Sequence, residues 1–206
     1  VEDSPAAQTF RFTFTLTDQP GNTSEPVSSR LSLFAGVAQY LADSGSGVLS
    51  GGIGADDFMG NTSTSTMQAG TGDDSLYIAD ASFTSIDGGA GNDTLVFNGA
   101  TGFTLDFTTL ATNALQGIEA VNLGDNTTIN NTLKIDLTSL LNLSDTSNQL
   151  VVHGSTGDTV QISQAGGAWT EVASTVVDGR TYDVFTNAND TTARLLISSQ
   201  VTQTLL

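Results

Sequence analysis

Three glycine-aspartate nonapeptides, repeated at a nearly constant interval, restrict what this chain can fold into more than any other feature. They read Gly51-Gly52-Ile53-Gly54-Ala55-Asp56-Asp57-Phe58-Met59, Ala69-Gly70-Thr71-Gly72-Asp73-Asp74-Ser75-Leu76-Tyr77 and Gly88-Gly89-Ala90-Gly91-Asn92-Asp93-Thr94-Leu95-Val96. Each fits G-G-x-G-x-D-x-U-x, the second with alanine in the first position. Their starts lie 18 and 19 residues apart, so a further nonapeptide-sized stretch separates one copy from the next. Those stretches are degenerate, yet Phe58, Met67, Leu76, Ile86 and Leu95 follow one another at intervals of nine, nine, ten and nine. This beat predicts a coil with an apolar inner edge, two nonapeptides to each turn.

The turns themselves point to a metal. Glycine permits positive φ and lets carbonyl oxygens approach one another unobstructed, and the aspartate adds a charged oxygen. A hard cation that takes six to eight oxygen ligands suits such a ring, which favours calcium over magnesium. Copies one full turn apart share an edge, so one calcium ion is expected between the turns starting at Gly51 and Ala69, and a second between those starting at Ala69 and Gly88. The expected side-chain ligands are Asp56, Asp74 and Asp93, and the expected main-chain positions are Gly52, Gly54, Gly70, Gly72, Gly89 and Gly91. Asp73 and Asn92 complete the candidate metal set, with Asp57 and Asp87 in reserve. On the opposite edge the loops Gly60 to Gln68 and Ala79 to Asp87 lack the double glycine, and hydrogen bonds from asparagine and threonine are expected there in place of ions. A single turn of this kind is an ordinary surface turn; three in register, with the apolar beat between them, carry the argument. No D-x-[DN]-x-[DN]-G loop closed by glutamate is present, which excludes an EF-hand.

Charge agrees with bound cations and excludes other partners. Against 22 acidic side chains stand only five basic ones, Arg11, Arg30, Lys134, Arg180 and Arg194, giving a formal net charge of −17. Nucleic acid and anionic membrane surfaces need a basic patch that five scattered cations cannot form. There is no cysteine, so disulfides, thiolate metal sites and thiol nucleophiles are all unavailable. No apolar run is long enough to span a bilayer, and Val1 begins without a secretory leader, as expected of a piece of a longer protein.

The fold class expected is all-β: a parallel β-roll or β-solenoid with calcium-binding turns, an N-terminal strand segment before it and a β-rich cap after it. Residues 1–48 form the N-terminal β-rich flank, with Phe10, Phe12, Phe14 and Leu16 alternating in a strand and Asp18 to Gly21 in a turn. Leu33, Phe34, Val37, Ala38 and Leu41 fit a helical period over Leu31 to Ala42. Residues 49–164 make the roll and a looser continuation of short strands, in which Thr108 to Gln116 and Thr138 to Leu143 are short enough to form helical turns. Residues 165–206 read as an antiparallel cap of strands near Trp169, Thr181, Ala193 and Val201, covering an otherwise open sheet edge.

On the nonapeptides from Gly51 to Val96 the chain resembles the RTX family, whose glycine-rich repeats form a parallel β-roll that binds calcium. The stretch from Gly117-Ile118-Glu119-Ala120-Val121-Asn122-Leu123 through Leu143 to Gly154 looks like the C-terminal part of very large bacterial RTX adhesins. The resemblance implies type I secretion, folding in external calcium, and a secreted or cell-surface location. It further implies a role in cell adhesion or biofilm formation, with a sugar or peptide of a cell surface or matrix as a possible ligand.

An enzyme with such a roll as its C-terminal module, a hydrolase, protease or epimerase, is the alternative. The sequence favours no catalysis within this chain. His153 is the only histidine, which excludes H-E-x-x-H zinc sites and leaves one ring for any serine triad. It stands in an alternating strand and reads as structural. Ice binding would need a ladder of like residues on the outward positions, but Ile53 and Ala55, Thr71 and Asp73, and Ala90 and Asn92 make none. Trp169, Tyr182 and Phe185 read as core residues before they read as a contact surface.

Overall fold

The computed structural model describes residues 8–14, 27–33, 40–42, 48–60, 66–143 and 147–206. Nearly all of them that have regular structure are in strands, with one α-helix, Leu137–Leu143, and a 3-10 turn at Phe107–Thr109. The chain is β-rich, and most of its pairing is parallel.

The largest sheet has nine strands, in spatial order Trp169–Val177, Arg180–Asn187, Arg194–Ser198, Gln149–His153, Ala120–Asn122, Thr94–Phe97, Ser75–Ile78, Asp57–Met59 and Tyr40–Ala42. From Arg194–Ser198 to Tyr40–Ala42 every neighbouring pair is parallel. Two four-stranded parallel sheets accompany it. One holds Val48–Ser50, Thr66–Gln68, Ser85–Asp87 and Leu115–Gln116, the other Thr104–Asp106, Thr132–Ile135, Thr159–Ile162 and Thr202–Leu205. From Val48 onward the chain mostly alternates between the large sheet and one of the small ones. A parallel neighbour on the same sheet therefore follows only after a full excursion, which is why these strands need a repeat of about 18 residues.

The apolar beat lands where the sequence placed it. Phe58, Met67, Leu76, Ile86 and Leu95 are all buried and all occupy the middle of a short strand, flanked by more exposed neighbours. Register then lines up Phe58, Leu76, Leu95, Val121, Val152 and Ile197 across the large sheet, every one of them 0% exposed. Leu105, Leu133 and Val160 form the corresponding row on a small sheet. Each such side chain contributes about 1.5–3 kcal/mol when fully buried, so the row is a large share of what holds the strands in register.

Two expectations are corrected. Leu31 to Ala42 is not one helix: Val27–Leu33 is a strand paired antiparallel with Gln8–Phe14, and Tyr40–Ala42 is a strand of the large sheet. Pairing partners decide over the weak helical period there, since the Val-Ser-Ser-Arg-Leu-Ser-Leu run also satisfies alternation. The 34–39 segment, the turn at Asp18 to Gly21 and the end of the first expected strand, 15–17, lie outside the described residues. The C-terminal strands, expected to be antiparallel throughout, are antiparallel only around the Trp169–Val177 and Arg180–Asn187 hairpin and on one side of Arg194–Ser198. The other side of Arg194–Ser198 runs parallel to Gln149–His153, and Thr202–Leu205 runs parallel to Thr159–Ile162. Leu195, Leu196 and Ile197 are consecutive and buried, the mark of a strand covered on both faces, as parallel strands usually are. Trp169, Tyr182 and Phe185 are buried, as the core reading requires.

The Leu137–Leu143 helix falls in the stretch read as a helical turn. Leu137, Leu140 and Leu143 form its buried stripe, and Asp136 caps it by accepting from Ser139 N at 2.7 Å.

Candidate metal centre

Each of the three glycine-rich turns leads directly into a strand of the large sheet, and the in-register strands place the turns one above another. Backbone bonds lock the stack: Thr71 N donates to Gly52 O at 2.9 Å, Ala90 N to Gly70 O at 2.9 Å, and Gly72 N to Ala90 O at 2.9 Å. The spacing is tight enough that no side chain fits at the fourth repeat position. A Cβ on Gly72 would stand 2.4 Å from Gly54 O, and one on Gly91 only 1.9 Å from Gly72 O, with φ of 130° and 151°. The glycine turns therefore stack closely along one edge, with Gly52 O and Gly70 O each accepting from the next turn.

Along that edge Asp56, Asp74 and Asp93 form a buried column, 2%, 1% and 0% exposed. Asp74 Oδ1 accepts from Asp56 N at 2.7 Å, and Asp93 Oδ1 accepts from Asp74 N at 2.8 Å. Asp56 Oδ2 accepts from Gly52 N at 3.1 Å. The second oxygens of Asp74 and Asp93 are buried and have no hydrogen-bond partner. Burial raises the Asp74 carboxyl above its ordinary value, with repulsion from Asp56 and Asp73 adding to the effect against the bond from Asp56 N–H. Burial likewise pushes the Asp93 carboxyl up to about 7, helped by repulsion from Asp74, Glu119 and Asp73. Neither of the two ion pairs among the described residues, Lys134 with Asp106 and Arg180 with Asp125, touches the column.

The remaining candidates divide. Asp73 and Asn92 lie on the exposed outer side of the turns, where Asp73 Oδ1 accepts from Asn92 N at 2.9 Å. Asp57 is exposed at the start of its strand, and Asp87 accepts from Gly89 N and Gln116 Nε2 at 3.0 and 2.7 Å. The inner column is thus the only part of the set that combines burial with unmet acceptors. Among the described residues no group of three or more His, Cys, Asp or Glu side chains is arranged to hold a metal. A cation at these turns must draw on main-chain carbonyls as well as carboxylates, a donor set that hard, oxygen-seeking calcium accepts.

A residue that the repeat pattern missed continues the column. Glu119 is nearly buried, and its Oε2 accepts from Asp93 N at 2.9 Å. It stands directly before Ala120 as Asp93 stands directly before Thr94, and those two strands are in register. The available signal was an acid preceding a short apolar strand two residues after a glycine.

A second column on the sheet of Thr104–Asp106 provides an internal comparison. Phe103 N donates to Asn131 Oδ1 at 3.1 Å, and Asn131 N to Asp158 Oδ1 at 2.8 Å. Asp158 Oδ2 accepts from Ser155 N at 2.8 Å, and Asn131 Nδ2 donates to Leu123 O at 2.7 Å. Asp158 is as buried as Asp74, at 1% exposed, yet protein donors meet both its oxygens. Burial alone does not leave a carboxylate oxygen orphaned in this fold, since Asp158 is met on both oxygens while Asp74 and Asp93 each keep one unmet.

The His153 side chain takes part in neither column. Its Nδ1 is 2.5 Å from the hydroxyl of Tyr182, which is buried under the sheet's outer face with Val184 and Leu196. Burial lowers the imidazole's affinity for a proton, and nearby Arg180 adds to that. The chain matches no family model, no curated protein and no solved structure.

Proposed function

We propose that this chain is a calcium-binding parallel β-roll that serves as an extracellular segment of a large RTX-like adhesin. The observation that carries the calcium reading is the pair of orphaned, fully buried oxygens on Asp74 and Asp93 in a stack of glycine turns. A buried carboxylate oxygen without a donor costs several kcal/mol unless it is protonated or meets a cation. The residues present fit calcium: Asp56, Asp74 and Asp93 with carbonyls of the adjoining glycines would hold it, and it would neutralise a column of like charges. Two ions are expected, one in each interval between consensus turns.

The adhesin part of the reading rests on the resemblance of the repeats and of Gly117 to Gly154. A cell-surface or matrix sugar or peptide is the ligand class it brings. A supporting role without catalysis accords with His153, whose Nδ1 is paired with the hydroxyl of Tyr182 and not with the carboxylate that orients the ring in a serine triad. Among the described residues no helix is long and apolar enough to cross a membrane.

Thermal melts followed by circular dichroism test the calcium reading, in excess EDTA and then with calcium to ~10 mM. A site held at about a hundredfold excess over its Kd adds about 2.7 kcal/mol. Two such sites raise the midpoint of a chain this long by on the order of 10–20 °C. Magnesium at the same concentration should produce much less. An unchanged midpoint in a sample shown by elemental analysis to be metal-free would reduce the repeats to ordinary turns.

A further inference from the structure

The carboxylate column continues where the consensus repeats end, and the next interval repeats two of the earlier hydrogen bonds, while Ile118 N donates to Leu143 O and the bonds between stacked glycine turns have no counterpart among the described residues. Glu119 Oε2 takes the N–H of Asp93 as Asp93 Oδ1 takes that of Asp74, at 2.9 and 2.8 Å. Gly88 N donates to Gln116 O at 3.1 Å, as Gly51 N does to Gln68 O at 2.8 Å. A third correspondence concerns the oxygens themselves. The point where a Cβ of Gly51 would stand lies 2.3 Å from Ala69 O and 2.6 Å from Asp56 Oδ2. For Gly88 the same point lies 2.0 Å from Gly117 O and 2.7 Å from Asp93 Oδ2.

Asp93 Oδ2 is the atom that calls for a ligand. It is buried without a donor, on a residue 0% exposed, and it converges with the Gly117 carbonyl oxygen on one small space. Two acceptors facing one another in a buried site repel unless a positive charge or a donor stands between them. We infer that the chain binds a third divalent cation, in the interval between the Gly88–Asp93 turn and Gly117–Glu119, with Asp93, the Gly117 carbonyl and Glu119 among its ligands.

This site rests on the calcium reading of the consensus turns but differs from them in construction. One residue separates the glycine from its acid, where the consensus turns have four, so fewer carbonyls are available. Beside it opens a cleft lined by Asp87, Gly89, Gln116, Gly117 and Asn142, through which water can complete the coordination. Calcium tolerates such a mixed, water-containing shell, and affinity falls as charged ligands are replaced and rigidity is lost. The third ion therefore binds more weakly than the other two and exchanges faster.

Calcium stoichiometry of the EDTA-stripped chain, by equilibrium dialysis and isothermal titration calorimetry, tests this. The wild type should take up three ions, the last with the lowest affinity. Glu119→Gln keeps an acceptor for Asp93 N–H while removing the charge, and should take up two, retaining most of the calcium-dependent gain in melting midpoint. A wild type that saturates at two, or a Glu119→Gln chain that still binds three, overturns the third site and leaves the consensus sites standing. A wild type that binds none overturns the calcium reading itself. Should Glu119→Gln fail to give the wild-type circular dichroism spectrum in calcium, the wild-type count decides alone.

Discussion

At Asp93 three requirements meet in one carboxyl group. One oxygen carries the N–H of Asp74, the other has no partner, and like charges stand before and after it in the column. Asp93→Asn separates these requirements, because an amide oxygen still accepts from Asp74 N while the charge is gone. In EDTA the substitution relieves repulsion and should raise the melting midpoint, by about 2–4 °C for each kcal/mol of repulsion removed. With calcium saturating it removes a charged ligand, so the variant should melt well below the wild type. The opposite signs in the two conditions are what a purely structural aspartate would not give; a loss in both would show that the carboxylate is needed for packing alone. Asp56, Asp74 and Asp93 were legible as one column because they recur at intervals of 18 and 19 residues. Glu119 was not, because the chain makes an excursion through Thr104–Asp106 and Leu115–Gln116 before returning, which stretches the step to 26 residues. The register of sheets, not sequence distance, defines the column.

The strands between Val48 and Ile135 are two to four residues long, and their stability comes from stacking. Strands of three or four residues have almost no independent stability, so the turns that set their spacing matter as much as their side chains. Gly91 is the most constrained of these positions, with φ of 151° and Gly72 O 1.9 Å from where a Cβ would stand. Gly179, at the tip of the Trp169–Val177 and Arg180–Asn187 hairpin, also has positive φ, at 78°, but has nothing within 4 Å of that point. Gly179→Ala should therefore cost about 1 kcal/mol of backbone strain, whereas Gly91→Ala adds steric displacement of the neighbouring turn and should cost on the order of 2–5 kcal/mol. Urea unfolding of both variants in calcium checks this, and equal costs would mean that the turns do not stack as tightly as the carbonyl positions indicate. The apolar beat from Phe58 to Leu95 was readable because period and burial coincide there. Direction of pairing was not: alternation in Thr202–Leu205 is the same whether its neighbour runs parallel or antiparallel, and only the packing of Thr159–Ile162 decides it. The weak helical period at Leu31 to Ala42 was misleading for the same reason, since a local pattern competes with partners far along the chain.

Among the described residues the two columns differ in how far protein donors meet their buried oxygens. The orphaned oxygens belong to the turns between Gly51 and Asp93, and Glu119 closes that column. From Asn131 onward the matching positions are met by Ser155, Asn131 and Leu123, all protein groups. Yet one apolar row, Phe58 to Ile197, runs through both parts, so the distal strands form a finished surface on which the glycine turns can assemble. On the calcium reading, removing the ion would leave that row intact and restore repulsion only at one end. Opening should then be local, as it is when stability is distributed unevenly along a stack of repeats. Hydrogen-deuterium exchange read by mass spectrometry should find peptides from 51–97 losing protection by at least about tenfold when EDTA replaces calcium, equivalent to roughly 1.4 kcal/mol of local stability. Peptides from 149–206 should change by much less. A uniform loss along the chain would show that the sheets open as one unit and that the distal strands depend on the metal as strongly as the turns do. Loss confined to the near end would instead locate calcium as the last component of the fold, closing an already formed β structure against its own charge.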